Sequence, residues 1–348
     1  MYKGCLNNRI FYKGISKNFM SKINSLNSSI PVIDIEPLRN GNLNLRKAVA
    51  KQIDEANREI GFFLIKNTGI EFNYVHKTLK SCEEFFLSSF ENKMKCRIDN
   101  PPENKPWGYF PQNMELLQRS QDFDSKEKKT YFNDINEQYN LQNDNPNANF
   151  PSRIFPSYPE SFKVNFSKYW KDCESLSNLL LEGFALSLDV DEKFFYEKFN
   201  KCASSLRVLH YPENIKLQPG QFRASEHTDY GSLTMLYSTA PGLQVKSRKG
   251  EYLDVNIPWD HFVINIGDLM AFWTNDRWIS TPHRVVSKNS EEPVKRFSLA
   301  FFHNPNTDCL VDCIPTCQTL ENPWKYEKIY SGDFIMKKFK ASIGEVKL

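Results

Sequence analysis

The chain reads as an α+β fold, mainly β, in which helices near the amino end and one long supporting helix pack on a double-sheet jelly roll. Two observations predict this. From about residue 205 the apolar period is two, in short runs separated by Gly, Pro, Asn and Asp. Upstream the period is three to four, with one apolar stripe long enough to support a whole sheet.

The early part follows in order. After "IPVIDIEPL", a short strand-like run, Leu45, Val49, Ile53, Ala56 and Ile60 recur at helical spacing, and Gly61 ends that helix. "FFLIKNTG" is a compact apolar strand, and 71–90 reads as a second helix. Residues 100–157, rich in Pro, Asn and aromatics, read as surface loops and short helices. Ser157 with Glu160 and Pro159 predicts the start of the long helix, because that spacing suits a capping box. Phe162, Phe166, Tyr169, Cys173, Leu176, Leu180 and Phe184 then form its stripe, roughly 30 Å long at 1.5 Å per residue. Eight runs follow as strands, "SLRVLHY", "SLTMLYS", "GLQVKS", "YLDVNI", "HFVINIG", "LMAFWTN", "HRVVS" and "RFSLAFFH", the number a jelly roll needs. The expected divisions are a basic extension over 1–29, a helical region over 30–145, the supporting helix over 155–190, the jelly roll over 200–310 and a carboxy-terminal segment over 311–348.

Composition narrows the function. The 348 residues are 40% hydrophobic and 25% charged, with a net charge of +3, a balance that suits a packed protein and lacks the basic footprint of a nucleic-acid or membrane-surface binder. A small-molecule partner and a monomer are the expectation. No apolar run approaches the ~20 residues of a membrane span. Eight scattered Cys fit a reducing compartment. The spacing of Cys309, Cys313 and Cys317 matches neither zinc nor iron–sulfur patterns, so they read as small core residues. Residues 1–29 hold Lys3, Arg9, Lys13, Lys17 and Lys22 without an acid. They read as a floppy extension of a cytoplasmic protein, with a mitochondrial transit segment as the alternative. No G-x-G-x-x-G or Walker loop points to a nucleotide.

Chemistry concentrates in "SEHTDYGSLTMLY". On a strand His227 and Asp229 project to one side and offer half a metal site. Of the remaining histidines, His283 heads a later strand and can supply the third ligand. Two imidazoles and one carboxylate leave open positions that suit iron(II) binding a co-substrate and dioxygen together, whereas zinc prefers a tetrahedral arrangement, with one water if catalytic. In "RFSLAFFH" Arg296, Ser298, Ala300 and Phe302 share a face; turned inward, a buried guanidinium with a hydroxyl two residues on would clamp a carboxylate.

The order H-x-D, His, R-x-S on a jelly roll resembles the isopenicillin N synthase-like branch of the iron(II)/2-oxoglutarate-dependent dioxygenases. "IPVIDI", "GFFLIKNTG", "GYF", "PGLQV", "INIGDLMAFWTNDRWISTPHRVV" and "RFSLAFFHNP" extend that resemblance over about residues 31–310. It implies a cupin-like double-stranded β-helix with iron(II) on His227, Asp229 and His283. It also implies 2-oxoglutarate held by Arg296, Ser298 and Tyr211, and hydroxylation of a small organic molecule with release of succinate and carbon dioxide. Leu209 departs from the family pattern, which usually has asparagine there. Tyr109, Phe110, Phe222 and Trp273 are candidates to line the substrate space. Two alternatives stand beside this reading, an oxidase of the same family that uses no 2-oxoglutarate and a non-catalytic metal or metabolite sensor.

Overall fold

A computed structural model describes residues 30–97, 107–112, 114–121, 132–142, 155–213, 215, 217–218, 220–287 and 294–343. The basic extension over 1–29, and parts of the loops expected over 100–157, lie outside the described residues.

Two sheets face each other. The larger has eight strands: β1 (Val32–Asp34), β2 (Phe62–Lys66), β3 (Gly108–Phe110), β4 (Glu137–Gln142), β5 (Ser205–Tyr211), β7 (Leu233–Ser238), β10 (Phe262–Ile266) and β12 (Arg296–His303). Their order is β1-β2-β10-β7-β12-β5-β4-β3. The smaller holds β6 (Ala224–His227), β8 (Leu243–Lys246), β9 (Tyr252–Asp254) and β11 (His283–Val285), ordered β6-β11-β8-β9. Apart from the parallel β1–β2 pair, neighbours in both sheets run antiparallel.

Strand alternation decides what each face of the large sheet meets. Phe297, Leu299 and Phe301 of β12, with Leu233, Met235 and Tyr237 of β7, turn outward into the main apolar core. There they meet helices α1 (Leu43–Glu59), α2 (Phe72–Phe86) and α3 (Ser161–Ser187). Ala300 and Phe302 turn inward, with Leu209 and Tyr211 of β5, toward Ala224 and Val285 of the small sheet. Arg296 and Ser298, on the same face of β12 as Ala300 and Phe302, turn to this inner space.

Three local readings are corrected. "LMAFWTN" is helix α4 (Asp268–Trp273), not a strand; a continuous apolar run carries no period, and here Leu269, Met270, Ala271 and Trp273 are all buried on a short helix. The eighth jelly-roll strand is instead β6. The long helix starts at Ser161, where Phe162 N–H donates to the Pro159 carbonyl at 3.0 Å, and Glu160 makes no side-chain cap. Residues 137–142, read as loop, form the buried strand β4. Finally, helix α5 (Ser331–Ile343) packs back over the mouth of the sandwich.

Candidate active site

The two imidazoles come from adjacent strands of the small sheet. His283 of β11 sits opposite His227 of β6, with ring centroids 4.3 Å apart. Asp229 is not on that strand: β6 ends at His227, and Asp229 lies in the turn before β7. The turn carries it to the inner face of the large sheet, where Thr234 Oγ1 donates to its Oδ2 at 2.6 Å and Asn265 Nδ2 at 2.7 Å. Thr234 and Asn265 are themselves cross-strand partners on β7 and β10. Asp229 Oδ1 remains for a ligand, 4.0 Å from His227 Nε2 and 3.8 Å from His283 Nε2.

The protonation states suit a cation. The Nδ1 of His227 is 2.7 Å from the Ser225 carbonyl and that of His283 is 3.1 Å from the Thr281 carbonyl. A carbonyl only accepts, so each Nδ1 carries a proton, and in the neutral ring that leaves the lone pair on Nε2. Burial, reinforced by the neighbouring His283, pushes His227 down to about 3 and keeps it neutral. Burial alone would raise Asp229, but the two histidines and the hydrogen bonds from Asn265 and Thr234 outweigh it and hold the carboxylate below its ordinary range. All three residues are buried with ligand atoms within 4.8 Å of one another, an arrangement found at no other His, Cys, Asp or Glu cluster among the described residues.

Behind the triad lies Arg296, only 1% exposed. Its Nε donates to the Ala240 carbonyl at 3.1 Å, and the guanidinium stands 5.0 Å from the centre of the Tyr211 ring. Nη2 and the neighbouring Ser298 Oγ are buried without a partner. A guanidinium carrying an unmatched charge and a hydroxyl carrying an unmatched dipole, side by side, fit a carboxylate. Leu209 pairs with Ser298 across the strands and adds an apolar wall at the place the family usually fills with an amide.

On the other side of His227 and Asp229 opens a cavity of about 140 Å³. None of the four expected aromatic residues is in its lining. Tyr109 donates its hydroxyl to Glu137, Phe110 packs behind Phe339, Phe222 lies under the Arg284 guanidinium, and Trp273 is core against Phe195 and Phe199. The walls instead include Arg207 and Asn140 from β5 and β4, Asn304 beyond β12, and Met336 and Phe339 from α5. Sequence reasoning missed these. The alternation in "EQYNLQ" is the signal that could have revealed β4, with Tyr139 and Leu141 facing the core and Asn140 and Gln142 facing the cavity.

Comparison with known proteins agrees with this geometry. The profile of the 2OG-Fe(II) oxygenase superfamily matches residues 202–305, and that of the non-haem dioxygenase in morphine synthesis N-terminal region matches residues 30–160. The 2-oxoglutarate-Fe(II) type oxidoreductase hxnY of Emericella nidulans is 29% identical over 90% of this chain and 90% of its own. Isopenicillin N synthase of a Flavobacterium is 28% identical, covering 82% of this chain and 88% of its own. The crystal structure of a full-length Neurospora crassa protein in complex with alpha-KG and thymine superposes with a TM-score of 0.77 at 30% identity, over 90% of this chain and 96% of that one. Among the described residues, no helix is long and apolar enough to cross a membrane. With its imidazole–carboxylate triad, its buried guanidinium and these relatives, the chain belongs to the 2-oxoglutarate- and iron(II)-dependent oxygenases, and it is a dioxygenase that uses iron(II), 2-oxoglutarate and dioxygen.

Proposed function

We propose that His227, Asp229 and His283 hold the iron, that Arg296, Ser298 and Tyr211 hold 2-oxoglutarate, and that the enzyme hydroxylates a small organic molecule in the cavity beside the triad. The observation that carries this reading is the convergence of the Nε2 atoms of His227 and His283 with Asp229 Oδ1, together with a buried Arg296 Nη2 and Ser298 Oγ that have no partner.

When bound, iron(II) supplies a centre at which dioxygen oxidises 2-oxoglutarate to succinate and carbon dioxide, one oxygen atom going to succinate and the other into a C–H bond of the substrate. The chain's own residues do the positioning. Thr234 and Asn265 fix Asp229 so that Oδ1 alone faces the ligand position. The Ser225 and Thr281 carbonyls fix both imidazole tautomers. Arg296 and Ser298 anchor the far carboxylate and so set how the keto acid approaches. Charge balances: the cation and Asp229 leave +1, Arg296 adds +1, and the dianion cancels both.

Support for a small substrate comes from the size of the cavity, about 140 Å³, and from the thymine bound in the Neurospora crassa structure. The test is a screen of small organic molecules for substrate-stimulated succinate formation, with Asp229→Ala as control. The reading predicts that the control loses iron binding in an anaerobic titration and loses turnover. Iron binding at wild-type affinity by Asp229→Ala would refute the ligand assignment; turnover without succinate would refute the role given to 2-oxoglutarate.

A further inference from the structure

The cavity contains more polar structure than iron and 2-oxoglutarate need, and it is arranged as a complement to one kind of chemical group. Arg207 on β5 and Asn140 on β4 are directly opposed across the strands, so their side chains are neighbours. Arg207 Nη1 donates to Glu115 Oε2 at 2.9 Å. That carboxylate is held in turn by Gln138 Nε2 at 2.6 Å and by Ser342 Oγ of α5 at 3.2 Å. The charge of Arg207 is thus matched within the wall, while a guanidinium has five N–H donors and Glu115 takes one of them. Its Cζ stands over the Phe302 ring, 5.6 Å from the ring centre.

Acceptors stand beside these donors. Asn140 is 3% exposed and Asn304 7%, and the Oδ1 of each is buried without a partner. Asn304 reaches its position because residue 231 is glycine: a Cβ there would stand 1.7 Å from Asn304 Oδ1. A buried amide oxygen left unsatisfied is destabilising, and a bound N–H donor would remove that cost.

Charge excludes the alternatives. With 2-oxoglutarate on Arg296 the metal compartment is neutral, and Arg207 with Glu115 is neutral too, so among the described residues of the cavity wall neither an anion nor a cation finds an unmatched partner. We infer that the substrate is a small uncharged molecule presenting an amide or imide edge. Its carbonyl accepts from Arg207, and its adjacent N–H donates to Asn140, with Asn304 as a second acceptor. Arg207 and Asn140 are then the specificity-determining pair. This inference rests on the oxygenase reading above and adds the class of substrate to it.

The test uses the full chain, loaded anaerobically with iron(II) and 2-oxoglutarate and followed by its charge-transfer absorption. Glutarimide, 2-pyridone and hydantoin are titrated by calorimetry against benzoate and benzylamine, which have similar size but carry charge. At least one neutral amide binds, more tightly than either charged probe. Arg207→Lys, which keeps the ion pair with Glu115 but loses the fork of donors, and Asn140→Leu each weaken that binding by about 10- to 100-fold. The iron–2-oxoglutarate absorption stays unchanged in both, which also shows that the variants fold. Tighter binding of benzoate or benzylamine overturns the inference. So does unchanged amide affinity in the variants, or no binding of any neutral probe at about 10 mM. Absence of the absorption band in the wild type would instead refute the oxygenase site, so the two failures are distinguishable.

Discussion

Arg296→Met separates binding from stability in a way that a merely structural arginine could not. In the protein without ligand, Arg296 carries a buried charge that no anion matches: Nε donates to the Ala240 carbonyl, the Tyr211 side chain is a further partner, and Nη2 is unsatisfied. Burial lowers its basicity for the same reason. Methionine fills similar space without the charge, and the Ala240 carbonyl keeps the Ser238 hydroxyl as a donor at 3.1 Å. Removing an unpaired buried charge therefore leaves the free protein as stable as the wild type, or more stable by about 1–3 kcal/mol. Binding of 2-oxoglutarate suffers the opposite fate, because the variant cannot pair the far carboxylate; the loss is about 2–5 kcal/mol, roughly 30-fold to several-thousand-fold in Kd. Urea denaturation of both proteins, with and without the metal and 2-oxoglutarate, measures the two effects together. For the wild type, ligand at 100 times Kd adds about 2.7 kcal/mol, and for the variant at the same concentration the increment falls toward zero. The reasoning fails if the free variant loses more than about 3 kcal/mol while 2-oxoglutarate still stabilises it as it does the wild type.

Other perturbations probe the supporting residues. Asn265→Ala removes one of the two donors to Asp229 Oδ2, and iron(II) affinity measured anaerobically drops about 10- to 100-fold while the fold persists. Gly267→Ala places a Cβ 2.4 Å from the Gly231 carbonyl and 2.8 Å from that of Asp229; the turn holding Asp229 must shift, so both metal affinity and melting temperature fall. Asp54→Asn tests electrostatics outside the site. Burial pushes that carboxyl up, but hydrogen bonds from Trp278, Arg277 and Arg58 outweigh it and hold it below its ordinary value of 3.8. Its contribution is accordingly complete above the unfolded pKa and is lost as pH falls through the lower folded one. The variant is less stable at pH 7 by about 1–2 kcal/mol, and the gap in urea denaturation narrows below about pH 4.

What was legible in the sequence was whatever alternation or a charged residue in an apolar run made visible. In β12 the inward set Arg296, Ser298, Ala300 and the outward set Phe297, Leu299, Phe301 differ so sharply in polarity that their faces could be read directly, and the structure places them so. The H-x-D pair was legible as chemistry but not as geometry: it marks a strand end and a turn, and the partners that orient Asp229 come from β7 and β10. β4 was missed because a strand lining a polar cavity inverts the usual pattern, amides inward and Tyr139 and Leu141 toward the helices. The aromatic candidates failed for a related reason. In a chain with 27 Phe and 15 Tyr, aromatic identity says little about location, and Tyr109 and Trp273 were absorbed by the core. Helix α5 closes a cavity formed mostly by residues more than a hundred positions earlier, a contact no local pattern records.

The unsatisfied atoms around this space have a consequence for stability. Arg296 Nη2 and Ser298 Oγ on one side of the triad, and Asn140 Oδ1 and Asn304 Oδ1 on the other, are buried polar atoms without partners. Each lowers the stability of the free chain by about 1–3 kcal/mol relative to a satisfied equivalent. Both sets lie on or next to the same sheet, Asn140 on β4 and Arg296 and Ser298 on β12, with β5 between them. If a co-substrate that satisfies the first set tightens β12 against β5, and a substrate that satisfies the second tightens β5 against β4, the two sites are coupled through one strand. Because β5 is shared, ordering it once lowers the cost of binding the second ligand. The two ligands together therefore raise the melting temperature by more than the sum of their separate increments. Strictly additive increments would show instead that the two halves of the site are energetically independent.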